Sequence, residues 1–132
     1  MVNYKKYDFI VFGATGFTGR LICSYLNHHQ DTTTLNWAIA GRNQTKLKHL
    51  SSKLSNNNKI DWLITDSFEP TSIDAMCQSA KLIISTVGPY SIYGEDLVHY
   101  CIKNSTHYLD LTGEPQFVDF ILKNYSQKAI KK

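Results

Sequence analysis

The chain alternates short apolar runs with stretches of helical spacing, and this alternation restricts its fold more than any other feature. Because each apolar run is short, strands are predicted at Asp8–Phe12, Leu35–Ala40, Ile60–Ile64, Lys81–Val87 and His107–Leu111. Helices are predicted at Phe17–His29, from Asn43 through Leu54, and at Thr71–Ser79, Glu95–Asn104 and Gln116–Tyr125. Strands separated by helices indicate an α/β fold with a Rossmann-type, doubly wound parallel sheet of about five strands.

Several residues mark the expected ends of these elements. Asn43 is suited to cap the second helix, and Pro70 is suited to the start of the third. Glu95 and Asp96 favour the first turn of the fourth helix, where carboxylates meet the positive end of the dipole. The composition of Ser55–Asn58 predicts a loop.

The length of 132 residues fits one domain, which we assign to 1–132 with a core at 8–125. A full dinucleotide-binding sheet of this type has a sixth strand, and none is predicted here. We therefore expect an incomplete domain that is completed by a second domain or a partner chain. An incomplete sheet also predicts an exposed edge at the fifth strand, which favours self-association or pairing with a partner strand.

Composition argues against several classes of function. The net charge of +3 lies largely in terminal lysines, so binding of nucleic acid has little support. The three cysteines are widely spaced and are expected to be buried thiols, and no metal site is predicted. Neither a signal peptide nor a run long enough for a membrane helix is present, so a cytoplasmic location is expected.

A glycine-rich segment follows the first predicted strand and opens the first helix. In such a segment Gly13 makes the tight turn, Gly16 lets the backbone approach a pyrophosphate, and Gly19 lets the helix pack against the strand. The phosphates then lie at a helix N-terminus, with its partial positive charge and free N–H groups. The predicted cofactor-binding residues here are Gly13, Ala14, Thr15, Gly16, Phe17, Thr18 and Gly19.

The end of the second strand indicates which dinucleotide binds. NAD-binding domains carry an acidic residue there, whereas this chain has Arg42 and Asn43. A guanidinium binds a 2′-phosphate that a carboxylate would repel. The sequence therefore predicts a preference for NADP(H) over NAD(H) of about 10- to 100-fold. The alternative is a solvated arginine, whose charge would oppose the helix dipole.

Other polar groups are expected at the carboxyl ends of the later strands, which line the ligand crevice. Asp66 is predicted near the adenine, and Thr86, Val87, Gly88, Pro89 and Tyr90 near the cofactor, although Gly88 and Pro89 equally suit a simple turn. Asp110 and Glu114 suit either an acid/base pair or, more simply, helix capping. Tyr90 and Tyr93 are expected to be packing or cofactor contacts, and the catalytic residues stay unassigned.

Three longer segments resemble those of the saccharopine dehydrogenase-like oxidoreductases, a group that includes the trans-acting enoyl reductases. They are Ala40–Asn43, Ser85–Gly94 and Tyr108–Glu114, and the resemblance runs from about Asp8 to Phe117. It implies an N-terminal NADP-binding domain in which Gly13–Gly19 hold the pyrophosphate and Arg42 the 2′-phosphate. It further implies that Thr86–Tyr90 line the nicotinamide side, and that a further strand and a larger second domain follow.

The leading hypothesis is an NADP(H)-binding domain whose hydride transfer requires the full-length or complemented enzyme, so that the isolated chain is inactive. The resemblance implies an unsaturated or imine-type substrate. The alternative is a non-catalytic NADP-binding module or a truncated relic. A short-chain-type reductase or epimerase is less favoured, because no tyrosine has a lysine four residues later.

Overall fold

The computed structural model describes residues 4–54 and 59–132, so the loop predicted at 55–58 lies outside the described residues. Five parallel strands form one sheet in the order β3-β2-β1-β4-β5, which confirms the predicted fold class. This order is that of a dinucleotide-binding sheet without its sixth strand. The elements are β1 (Phe9–Phe12), α1 (Phe17–His28), β2 (Trp37–Gly41), α2 (Gln44–Leu54), β3 (Asp61–Ile64), α3 (Pro70–Ser79), β4 (Leu82–Ser85), α4 (Tyr90–Lys103), β5 (His107–Asp110) and α5 (Pro115–Ile130).

The core lies on both faces of the sheet, because successive strand residues point to opposite sides. Phe9 and Val11 of β1 pack in the cluster that includes Cys23 of α1 and Leu47 of α2. The alternate residues of β1 face α3 and α4 in a second cluster. All three cysteines are free and buried, as expected, and burial raises the pKa of Cys23 to about 12.

Two of the predicted helix ends are confirmed. The amide of Lys46 donates to Asn43 Oδ1 over 3.0 Å, so Asn43 caps α2 from the residue before it. Pro70 occupies the start of α3, where its missing N–H leaves no broken bond. Gly88 and Pro89, which follow β4, are joined by a cis peptide bond.

The fourth helix begins earlier than the sequence predicts. It starts at Tyr90, so the prediction that Glu95 and Asp96 lie in its first turn is wrong. Helix α5 is also longer than predicted and runs to Ile130. It packs closely on α4 at Gly94, where an added Cβ would lie 2.5 Å from Phe117 Cζ.

An ion pair and part-buried hydrogen bonds link segments at the amino-terminal edge of the sheet. The Tyr7 hydroxyl donates to Asp61 at the start of β3 over 2.7 Å, and Lys81 pairs with Asp8 over 2.7 Å. The ammonium group of Lys5 donates to the carbonyl of Cys77, the carbonyl of Asn104 and the hydroxyl of Thr106. The segment before β1 is thereby tied to the ends of α3 and α4.

None of the helices in the described part of the chain combines the length and the apolar character needed to cross a membrane.

Candidate functional site

A cavity of about 570 Å³ opens at the carboxyl-terminal edge of the sheet. This is the edge at which open α/β sheets bind their ligands. The residues that line it come from the ends of β1 to β4 and from the elements that follow them. They are Phe12, Gly13, Thr15, Gly16, Gly41, Arg42, Asn43, Lys46, Asp66, Ser67, Phe68, Thr86, Val87, Gly88 and Tyr93.

The glycine segment makes a turn that other residues could not make. Gly13 has a φ of +82°, and a Cβ there would lie 2.5 Å from Thr86 Oγ1. A Cβ on Gly19 would lie 2.1 Å from the Gly13 carbonyl oxygen, so α1 can pack this close only with glycine. At Gly16 a Cβ would meet only that same oxygen, at 3.4 Å, so its open side leaves room for a ligand.

The first turn of α1 fits a phosphate group. Its N-cap is Gly16, which has no side chain to accept from the first amides, and the turn contains no acidic residue. The leading amides of a helix have no partner within the helix, and the helix dipole favours an anion beside them. The backbone amides of this first turn, which follows the cavity-lining Gly16, are therefore available to a pyrophosphate.

Two cations line the same cavity near the start of α2. Arg42 and Lys46 both line it, and both are exposed. Neither has an ion pair among residues 4–54 and 59–132. Positive charge is disfavoured at a helix N-terminus, so neither cation is placed there to stabilise α2.

The structure brings most of the predicted site residues together and leaves others outside the cavity lining. Ala14 and Gly19 are buried behind the turn, while Phe17 and Thr18 are exposed on α1. Pro89 is exposed at the start of α4. Neither these five residues nor Tyr90 lines the cavity.

Tyr90 is held within the protein. Its hydroxyl donates to the Ser85 carbonyl over 3.2 Å and accepts from the Leu111 amide, and its ring packs near Phe117. Burial raises the pKa of Tyr90, so the hydroxyl keeps its proton. Tyr93, one turn further along α4, lines the cavity instead.

The two carboxylates considered as an acid/base pair are also engaged. Glu114 accepts from the amide of Tyr90 at 2.6 Å and from that of Ser91 at 3.2 Å, so it caps α4 as the simpler interpretation expected. These bonds lower the pKa of Glu114. Asp110 accepts from the hydroxyl of Tyr108 and from the amide of Thr112.

Some lining residues were missed by sequence reasoning. Lys46 lies in the first turn of α2, directly after the end of β2, and this position was the signal that could have revealed it. Ser67 and Phe68 follow Asp66 in the turn after β3, where Asp66 Oδ1 accepts from the Phe68 amide over 2.9 Å. Their position just beyond a strand end was the available signal.

Residues 9–131 match the family model described as the saccharopine dehydrogenase NADP-binding domain. The match covers both the glycine turn and the two cations, Arg42 and Lys46.

Proteins of related sequence carry names in agreement with that match. The chain is 35% identical to a mouse saccharopine dehydrogenase-like oxidoreductase, with 97% of this chain and 32% of the mouse protein aligned. It is 36% identical to a trans-acting enoyl reductase of Mycobacterium bovis, over 95% of this chain and 30% of that protein. It is also 33% identical to a Caenorhabditis elegans protein named lipid droplet localized protein, over 95% and 30% of the two chains. The chain therefore spans about a third of the length of these relatives.

Among solved structures, apo saccharopine dehydrogenase (L-Glu forming) from Saccharomyces cerevisiae superposes with a TM-score of 0.68 at 16% identity. The superposition covers 86% of this chain and 24% of the yeast chain, and at this identity it supports the fold alone.

Proposed function

The chain belongs to the saccharopine dehydrogenase NADP-binding domain family, and from this premise we propose that its cavity holds NADP(H) in preference to NAD(H). The observation that carries the proposal is the pair of unneutralised cations, Arg42 and Lys46, in the same cavity as the glycine turn. A 2′-phosphate distinguishes the two dinucleotides, and a charge-assisted hydrogen bond to it is worth about 1.5–3 kcal/mol. The end of β2 contributes no carboxylate that would oppose this phosphate.

Different residues of the cavity suit different parts of the cofactor. The turn at Gly13–Gly19 holds the pyrophosphate against the first turn of α1. Arg42 and Lys46 bind the 2′-phosphate, while Thr86, Val87 and Gly88 contact the nicotinamide side. Once bound, the nicotinamide supplies the hydride, and the protein's part is to orient it and exclude water.

We further propose that hydride transfer takes place in the longer oxidoreductase, with an unsaturated or imine-type substrate. The name of the mycobacterial relative supports a carbon–carbon double bond as one such acceptor. Three residues considered for proton transfer, Tyr90, Asp110 and Glu114, are engaged in structural hydrogen bonds, and none of the three lines the cavity. This observation favours a second candidate for this stretch of chain, a dinucleotide-binding module without catalysis of its own.

Side-by-side titration with NADPH and NADH tests the proposal. We expect NADPH to bind about 10- to 100-fold more tightly. We expect the Arg42→Ala variant to lose most of that difference while its affinity for NADH changes little. Calorimetry or nucleotide fluorescence measures both constants. Equal affinity for the two nucleotides in the unaltered chain would contradict the preference, and absence of binding would contradict the cofactor assignment.

The free edge of the sheet is proposed to pair with a further strand, from the remainder of a longer protein or from a second copy. Strand β5 is an edge of the described sheet, and Leu109 is half exposed on it. Unpaired N–H and C=O groups of an edge strand favour such pairing. Sedimentation velocity tests the second-copy form, which a monomer at all concentrations would contradict.

A cytoplasmic location is proposed on the basis of three buried cysteines that are all free, as expected in a reducing compartment. The name of the Caenorhabditis elegans relative makes the lipid droplet the competing location. Fractionation of cells that express the tagged chain separates these two, and recovery with the droplets would contradict the proposal.

A further inference from the structure

Phe68 places an aromatic ring in a cavity whose neighbouring lining residues are polar. The residue is 66% exposed, and it stands beside Asp66 and Ser67 in the turn after β3. Single exposed apolar side chains are common on protein surfaces, so exposure alone has no functional meaning. What distinguishes this ring is its location in the cavity lining and its contact with Tyr93.

A backbone hydrogen bond and a ring contact position Phe68. Its backbone amide donates to Asp66 Oδ1 over 2.9 Å, which fixes the turn. Its ring centroid lies 5.3 Å from that of Tyr93 on α4, with an angle of 69° between the planes. In an edge-to-face pair at most one face of either ring is covered by the other. At least one face of Phe68 is therefore free of Tyr93.

The cations of the same cavity indicate what such a face would meet. Arg42 and Lys46 are the expected contacts of a 2′-phosphate, and that phosphate shares its ribose with the adenine ring. A base tethered this closely to the 2′-phosphate lies within reach of the other lining residues. Stacking on an aromatic side chain is the usual way in which proteins bind a base face without hydrogen bonds.

We infer that Phe68 is the stacking surface for the adenine ring and that Tyr93 is a positioning residue that holds Phe68 across the cavity. The inference rests on the proposed function, because it presumes that the adenosine 2′-phosphate lies at this end. It adds that the adenine surface is supported by α4, which begins beside the segment Thr86–Gly88 on the nicotinamide side. The adenine and the nicotinamide ends of the cofactor would then both be supported by the segment Thr86–Gly88 and the start of α4.

Substitutions at Phe68 separate stacking from apolar contact. Phe68→Leu keeps the apolar bulk and removes the flat ring, whereas Phe68→Trp keeps a flat ring. With adenosine 2′,5′-bisphosphate as the probe, we expect Phe68→Leu to weaken binding by about 10-fold, as loss of one stacked base does, and Phe68→Trp to retain binding. NADP and NAD should be weakened by equal factors, because both carry adenine. An unchanged affinity in Phe68→Leu overturns the inference, as does an equal loss in the leucine and tryptophan variants.

Substitutions at Tyr93 test the positioning role, with Ile92 as the matched control on the same helix. Ile92 is exposed and does not line the cavity. We expect Tyr93→Ala to weaken adenosine 2′,5′-bisphosphate several-fold, Tyr93→Phe to restore the affinity, and Ile92→Ala to leave it unchanged. Thermal unfolding checks that each variant is folded.

The failures are distinguishable. If the unaltered chain binds neither dinucleotide, the proposed function fails and the inference with it. If the chain binds NADP and Phe68→Leu binds it equally well, only the inference fails.

Discussion

Helices α1 and α4 begin side by side at the same edge of the sheet, yet a side chain caps the first turn of α4 and none caps that of α1. They follow β1 and β4, which are paired neighbours. The first turn of α1 has glycine at its N-cap, no side-chain cap and no acidic residue. The first turn of α4 receives the carboxylate of Glu114, which comes from beyond β5.

Both helices present the same partial positive charge and the same free amides at this edge. At α4 the carboxylate of Glu114 accepts from the first amides. At α1 no side chain caps the first amides, which remain available to a bound anion. The absence of an internal partner makes the N-terminus of α1 a candidate phosphate site, whereas the dipole is common to both helices. Three substitutions should remove, invert or weaken this difference.

The largest effect is expected from Gly19→Ala, which removes the open turn of α1. The added Cβ would lie 2.1 Å from the Gly13 carbonyl oxygen and 2.8 Å from Ala14 Cα, so α1 or the turn must shift. We expect the free energy of unfolding to fall by about 3 kcal/mol and NADPH binding to be lost. Chemical denaturation and nucleotide titration measure the two effects. Gly113→Ala is the control, because nothing lies within 4 Å of its Cβ position and its stability should be unchanged. Equal stability of the two variants would contradict the packing role of Gly19.

A smaller effect, mainly on binding, is expected from Thr18→Asp. This change gives the first turn of α1 the carboxylate that the first turn of α4 already has. The new charge should stabilise α1 by about 0.3–1 kcal/mol. It should also weaken NADPH by at least about 10-fold, through repulsion of the pyrophosphate. Thr18→Asn is the neutral control of the same shape. Similar nucleotide affinities in the aspartate and asparagine variants would show that the pyrophosphate lies elsewhere.

The smallest effect is expected from Glu114→Gln, which weakens the cap of α4. The melting temperature should fall by a few degrees, because one charge-assisted cap becomes neutral. The amide of Tyr90 holds the pKa of Glu114 below its usual value of 4.5. The stabilisation is therefore present above that value and is lost as the pH falls through the folded-state pKa. The difference in melting temperature between the two proteins should shrink between about pH 6 and about pH 3. A constant difference over this range would contradict the role of the ionised cap.

The sequence predicted the features that depend on residues close together in the chain. Gly13, Gly16 and Gly19 lie close together in the chain, and Asn43 caps a helix that begins at the next residue. The alternation of strands and helices gave the order of elements, and the topology rules for such sheets gave their arrangement. The position of Arg42 followed from the end of its strand.

Features that depend on distant residues were not predictable in the same way. Helix α4 starts at Tyr90 because a carboxylate 24 residues later caps it, and no local pattern near Tyr90 reveals that partner. The local acidic residues Glu95 and Asp96 therefore gave the wrong start. Phe68 lies in the turn after β3 and Tyr93 lies on α4, and only the folded sheet brings the two rings together. Tyr90 does not line the cavity, because its ring packs near Phe117 and its hydroxyl donates to the Ser85 carbonyl.

The ties of Lys5, Tyr7 and Lys81 at the amino-terminal edge have a consequence for how this chain tolerates mutation. They lie at the end of the sheet opposite the cavity, so these ties and the groups that line the cavity occupy separate ends. A saturation mutagenesis screen that measures protein abundance and nucleotide binding separately should therefore distinguish substitutions at the amino-terminal edge of the sheet from those at the cavity edge. Changes at the amino-terminal edge should reduce abundance and binding together, whereas most changes at the cavity edge should reduce binding alone. Cofactor preference could then diverge among descendants of such a chain without first requiring compensation in its stability.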